Sequence, residues 1–150
     1  MQYFVMDRNH AKEYSFGHHV EKSIIISITD IDKNPVQFQY NPSNGIIAIK
    51  HLAFDDVEQG EINCITDADA MSIVDFIYDW KDKCDFIIVH CEAGQSRSAG
   101  VCAAIMKYIE NDDWPIFDNP KYTPNMTCYR KVLNAFYCEL NKSLRNESGV

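Results

Sequence analysis

The chain reads as an α/β protein: a central, mostly parallel sheet of four to five strands flanked by helices. Three observations predict this. Short β-branched runs such as "SIIISI" and "DFIIV" carry no polar alternation, the pattern of strands buried on both faces. Stretches with helical apolar spacing separate these runs, so the strands are joined by crossovers rather than hairpins. The 150 residues, with no repeats and no low-complexity linker, match one domain with one sizeable core.

In chain order, "YFVM" (3–6) is a short strand and "NHAKEYSF" (9–16) a helical turn stopped at Gly17. "SIIISI" (23–28) is a buried strand, ended by "TDIDKNP". "NPSNG" (41–45) is dense in turn formers, and "IIAIKHLAF" (46–54) is the next strand, leading into the polar loop "DDVEQGE" (55–61). The clearest helix is 66–83. Thr66 or Asp67 can cap it, its acidic first turn suits the helix dipole, and Ala70, Ile73, Val74 and Ile77 share one face. "DFIIVH" (85–90) is a strand and "SAGVCAAIMKYIE" (98–110) a helix of small residues suited to close packing on a sheet. "NDDW" and "DNPKY" read as loop. The last helix spans 125–140, with Asn125 as its cap and Tyr129, Leu133, Phe136 and Tyr137 at core spacing; the tail "RNESGV" is expected to fray.

Charge excludes some functions. With a formal net charge of −8, the chain has no basic face for nucleic acid or an anionic membrane. The start lacks the cationic and apolar regions of a secretory signal and no apolar run has spanning length, so a cytoplasmic location is expected. Six scattered cysteines without a C-x-x-C pair read as free thiols. His18-His19 is a surface pair rather than a metal site, since neighbours on an extended segment point to opposite faces.

The chemistry concentrates in "HCEAGQSRS" (90–98). A buried strand delivers a loop to a helix N-terminus, where free N–H groups and the helix dipole converge on an anion. Cys91 lies in that field, which favours the nucleophilic thiolate. Gly94 allows successive amides of the loop to turn inward as a nest. Arg97 can offer two parallel donors to phosphate oxygens. Ser98 can donate to the sulfur, and His90 at the strand end is an orienting residue rather than a base. A thiolate attacking phosphorus needs a carboxylic acid to protonate the leaving oxygen and then activate water. The 55–61 loop offers Asp55, Asp56, Glu58 and Glu61.

The stretch "VHCEAGQSRSAG" resembles the signature loop of the cysteine-dependent protein tyrosine phosphatases, H-C-x-x-G-x-x-R-S/T. "HLAFDD" looks like the segment carrying that superfamily's acid, and "YTPNMTCYRKVLNAF" is similar to its last helix. The resemblance covers roughly residues 23–140. It falls closest to the compact dual-specificity branch and its bacterial or viral relatives. It implies Cys91 as the nucleophile that becomes a phosphocysteine and Arg97 as the phosphate clamp. The amides of Glu92, Ala93, Gly94, Gln95, Ser96 and Arg97 would form the cradle, with Ser98 assisting hydrolysis. Asp56 would be the acid and Asp55 its less favoured neighbour, since an acid stands at 55 where the pattern often has proline. No metal or cofactor is implied. The expected partner is a phosphorylated protein, on tyrosine and also on serine or threonine in the dual-specificity case. The alternatives are a phosphoprotein-binding adaptor on the same fold, or a phosphoinositide or RNA 5′-phosphatase, against which Glu92 in the loop weighs.

Overall fold

In a computed structural model, which describes residues 1–39 and 41–147, four strands form one sheet in the order β1-β4-β2-β3. The strands are β1 (Gln2–Met6), β2 (Ser23–Thr29), β3 (Ile46–Ala53) and β4 (Phe86–His90), and every pairing is parallel. The expected parallel sheet is present with four strands. The first residues join it, because Gln2–Met6 pairs in register with Phe86–His90 along the sheet edge.

Helices α1 (Arg8–Tyr14), α2 (Asp67–Trp80), α3 (Arg97–Glu110), α4 (Trp114–Phe117) and α5 (Met126–Glu147) complete the chain. Alternation along the strands sorts the two faces. Ile24, Ile26, Ile28, Ile87, Val89 and Cys91 join the main core with α2, α3 and α5. Their neighbours Ser27, Ile25, Ile88 and His90 are buried on the other side. This period of two sends adjacent His90 and Cys91 to opposite faces of the sheet.

Several boundaries differ from the sequence reading. α2 is capped by Thr66, whose hydroxyl accepts from Asp69 N while Asp69 bonds back to Thr66 N; it ends at Trp80 rather than 83. A helical turn, α4, replaces loop at Trp114–Phe117, where Pro115 presets the first-turn geometry. α5 runs through "RNE" to Glu147, seven residues past the expected end; Ser148 to Val150 lie outside the described residues. Asn125 does cap it, its Oδ1 accepting from Cys128 N at 3.0 Å. Of the expected core aromatics Phe136 is fully buried, but Tyr137 is 43% exposed, because the helix packs on only one side there.

Because all strands run one way, their carboxyl ends share one edge. Asp7, Asp30, Asp55-Asp56 and Cys91 follow β1, β2, β3 and β4 respectively. In open parallel sheets that edge is where ligands bind.

Candidate active site

β4 ends at His90, and Cys91 begins a six-residue loop that closes at Arg97, the first residue of α3. The loop's polarity is fixed by its neighbours. The carbonyls of Glu92, Gln95 and Ser96 face outward and accept from Arg8, Thr123 and Asn125 N–H groups, while Ser96 also accepts from Gly100 N. None of the N–H groups of Glu92–Ser96 donates a hydrogen bond among the described residues. Gly94, at φ +66°, makes the left-handed step in this loop. A Cβ there would lie 2.5 Å from Asp7 N and 2.6 Å from the Met6 carbonyl carbon, so the loop is pressed against the end of β1.

Ser96 is the N-cap of α3, yet its side chain does not cap the helix; its Oγ donates to Asp56 Oδ1 at 2.8 Å instead. The first turn of α3 carries no acidic residue either. The helix therefore presents uncapped donors and the positive end of its dipole to the bowl.

Cys91 is 2% exposed at the floor of the loop, with Sγ 3.0 Å from Ser98 Oγ. Arg97 is 4% exposed. Its Nη1 donates to the Phe54 carbonyl and pairs with Asp30 Oδ1, each at 2.7 Å, while its Nε is buried with no partner among the described residues. A buried guanidinium nitrogen left without an acceptor is costly. The anchored Nη1 fixes where that nitrogen sits.

His90 lies behind the loop. Its Nδ1 is 3.1 Å from the Cys91 carbonyl, which can only accept, so Nδ1 carries the proton; Nε2 then accepts from Ser27 Oγ at 2.6 Å. Burial holds its pKa below the ordinary histidine value; the bond to the Cys91 carbonyl opposes this, and the charge of Arg8 adds a smaller push downward. A neutral ring of fixed tautomer suits the orienting role and not that of a base.

The two aspartates differ. Asp55 has both oxygens engaged: Oδ1 accepts from Ile31 N in the loop after β2 and Oδ2 from Asn63 Nδ2 in its own loop, both at 3.0 Å. Those two bonds, with the field of Arg97, hold its pKa below the ordinary carboxylate value. Asp56 is exposed; its Oδ1 accepts from Ser96 Oγ and, at 2.9 Å, from Asn125 Nδ2. Oδ2 has no partner among the described residues. Of the loop's other acids, Glu61 accepts from Glu58 N at 2.7 Å, within the loop itself.

Three residues of this assembly escape a sequence reading. Asp30 anchors Arg97, and only the adjacency of β2 and β4 brings it there. Asn125, recognisable as a helix cap, also binds Asp56, the Val57 carbonyl and the loop through Ser96. Ser27 holds His90 Nε2 from the neighbouring strand, where register places the two side by side. Glu92, the one acid in the loop, is matched by Lys33 at 3.5 Å and Arg8 at 3.9 Å, so its charge is locally offset. Ala93 and Gln95 are exposed at the rim.

A parallel sheet with a cysteine-to-arginine anion loop between its central strand and a helix defines the protein tyrosine phosphatase-like fold. The resemblance read in the sequence thus extends to the architecture. A variant form of human DUSP28 superposes with a TM-score of 0.63 at 14% identity, covering 93% of this chain and 92% of that one. A human tyrosine phosphatase-like serine/threonine/tyrosine-interacting protein gives 0.56 at 18% identity, covering 80% of each chain. A mouse dual specificity phosphatase complexed with zinc tungstate gives 0.54 at 15% identity, covering 97% and 86%. No protein-family model and no curated protein matches the sequence.

Proposed function

We propose that the protein hydrolyses phosphate monoesters through a phosphocysteine, with phosphotyrosine on proteins as its principal substrate and phosphoserine or phosphothreonine within its range. The observation that carries this reading is the buried Nε of Arg97, unpartnered among the described residues, beside a loop whose Glu92, Gln95 and Ser96 carbonyls bond away to neighbouring segments while its N–H groups are left free, with Cys91 buried at its start. A phosphate would supply acceptors to that nitrogen, to the loop amides and to the first turn of α3 at once. The neighbours with this fold include dual-specificity phosphatases, which supports a phosphatase without naming its substrate.

In the mechanism, Cys91 Sγ attacks phosphorus and the S–P bond forms as the ester P–O bond breaks. Asp56 gives its proton to the departing oxygen. Arg97 and the amides of residues 92–97 hold the equatorial oxygens as charge develops on them. In the second step water attacks phosphorus, Asp56 takes its proton, and the S–P bond breaks, with the Ser98 hydroxyl donating to the returning thiolate. Positioning of this kind, with one acid–base group, suffices for phosphoryl transfer. No metal or cofactor enters the scheme.

The test is hydrolysis of an aryl phosphate and of phosphotyrosyl, phosphothreonyl, phosphoinositide and RNA 5′-phosphate substrates. Rapid quenching should trap phosphate on Cys91, and Cys91→Ser should leave no measurable turnover. Wild-type rates in Cys91→Ser would overturn the mechanism. Tight phosphopeptide binding with no hydrolysis in the wild type would assign the adaptor role instead.

A further inference from the structure

Beside the loop lies a polar groove of about 560 Å³, with Asp56 and Ser96 at one part of its wall and the start of α5, including Arg130, at another. Arg130 follows Asn125 by five residues, about 7.5 Å of helical rise. Thr127, three residues before it and so on the same face, anchors the acid loop by accepting from Gln59 N at 3.0 Å.

Arg130 is exposed, and its guanidinium has no ion pair or hydrogen bond among the described residues. The other cations around the site are committed. Arg97 is held by Asp30, Lys33 lies between Asp30 and Glu92, Arg8 lies against Glu92, and Lys131 pairs with Asp67 at 2.8 Å. In a chain with 22 acidic and 14 basic residues, an unpaired arginine on the wall of this groove is the local exception to a repulsive field.

Resting on the phosphatase reading above, we propose that Arg130 reads a carboxylate, Asp or Glu, two or three residues from the phosphorylated residue of a protein substrate. Asn125 touches both Ser96 of the loop and Asp56, so it marks the edge of the site; an extended peptide advancing about 3.3 Å per residue covers the helical rise from there to Arg130 in two or three steps. A carboxylate fits better than a second phosphate because Asp56 and Glu58 also line the groove and would repel a dianion more strongly. A forked guanidinium on a rigid helix gives directional pairing to a carboxylate.

The experiment measures kcat/KM for phosphotyrosyl peptides that differ only by Glu or Gln at successive flanking positions. Wild type and Arg130→Met are compared, with melting temperatures as a control for folding. For a solvent-exposed pair the expected Glu-over-Gln preference is about three- to fivefold at low salt. It should vanish in Arg130→Met, fade with added salt, and reverse toward Lys-bearing peptides in Arg130→Glu. A preference that is equal in wild type and Arg130→Met, or absent from both, overturns the assignment. So does an effect of the substitution confined to doubly phosphorylated peptides or phosphoinositide vesicles. If the wild type hydrolyses nothing, the reaction has failed rather than the subsite; peptide Kd by fluorescence anisotropy, with the same Glu/Gln pairs, then decides Arg130.

Discussion

Replacing Asp56 by Asn is the sharpest perturbation of the proposed chemistry. The anchoring oxygen Oδ1 accepts from Ser96 Oγ and Asn125 Nδ2 and survives as the amide oxygen of asparagine. Only the unpartnered Oδ2 becomes a group that cannot donate an acidic proton. The loop therefore stays in place while the acid is lost. General acid catalysis contributes about 10²–10⁴-fold, so kcat/KM on an unactivated phosphotyrosyl peptide should fall by that factor, about 2.7–5.4 kcal/mol of barrier. The loss should be smaller for an aryl phosphate whose leaving group departs without help, and the alkaline limb of the pH–rate profile should disappear. In Asp55→Asn the amide nitrogen would oppose Asn63 Nδ2 or Ile31 N, both donors, so the loop should loosen while the alkaline limb remains. The assay is stopped-flow kinetics across leaving groups and pH. An intact alkaline limb in Asp56→Asn, or its loss in Asp55→Asn, would refute the assignment.

Two further outcomes follow from the packing around the loop. Gly94→Ala places a Cβ against the backbone of Met6 and Asp7 at a positive φ; it should lower stability by at least about 2 kcal/mol in thermal melts. His90 is held neutral by burial, so its folded-state pKa lies below the unfolded value near 6.5. Its contribution is then fully present above that value and lost as pH falls below it, where the unfolded chain binds the proton first. His90→Asn should flatten the decline in stability as pH falls below about 6.5; His51, also held low by burial, adds to the same decline, so the measured quantity is the difference between wild type and variant. An unchanged slope would show that His90 is not held neutral by the fold.

Local order carried much of the molecule. The runs "SIIISI" and "FIIVH" are strands because β-branched residues without alternation suit burial on both faces. "HCEAGQSRS" places sulfur, glycine and arginine at the spacing of an anion-binding loop, and α2 announces itself through its cap and apolar stripe. The parallel strand order then gathered partners around that short stretch. Asp30, 67 residues before Arg97, reaches the guanidinium because β2 lies beside β4. Asp55 and Asp56 are indistinguishable as letters; Ile31 and Asn63 occupy one, while Ser96 and Asn125 hold the other by a single oxygen. Arg130 likewise acquires meaning only from which acids the fold leaves out of its reach. Covalent spacing and side-chain chemistry are written along the chain, so the loop was legible in sequence. Which donor meets which acceptor across 40 or more residues depends on strand order and helix docking, and that was decided in three dimensions.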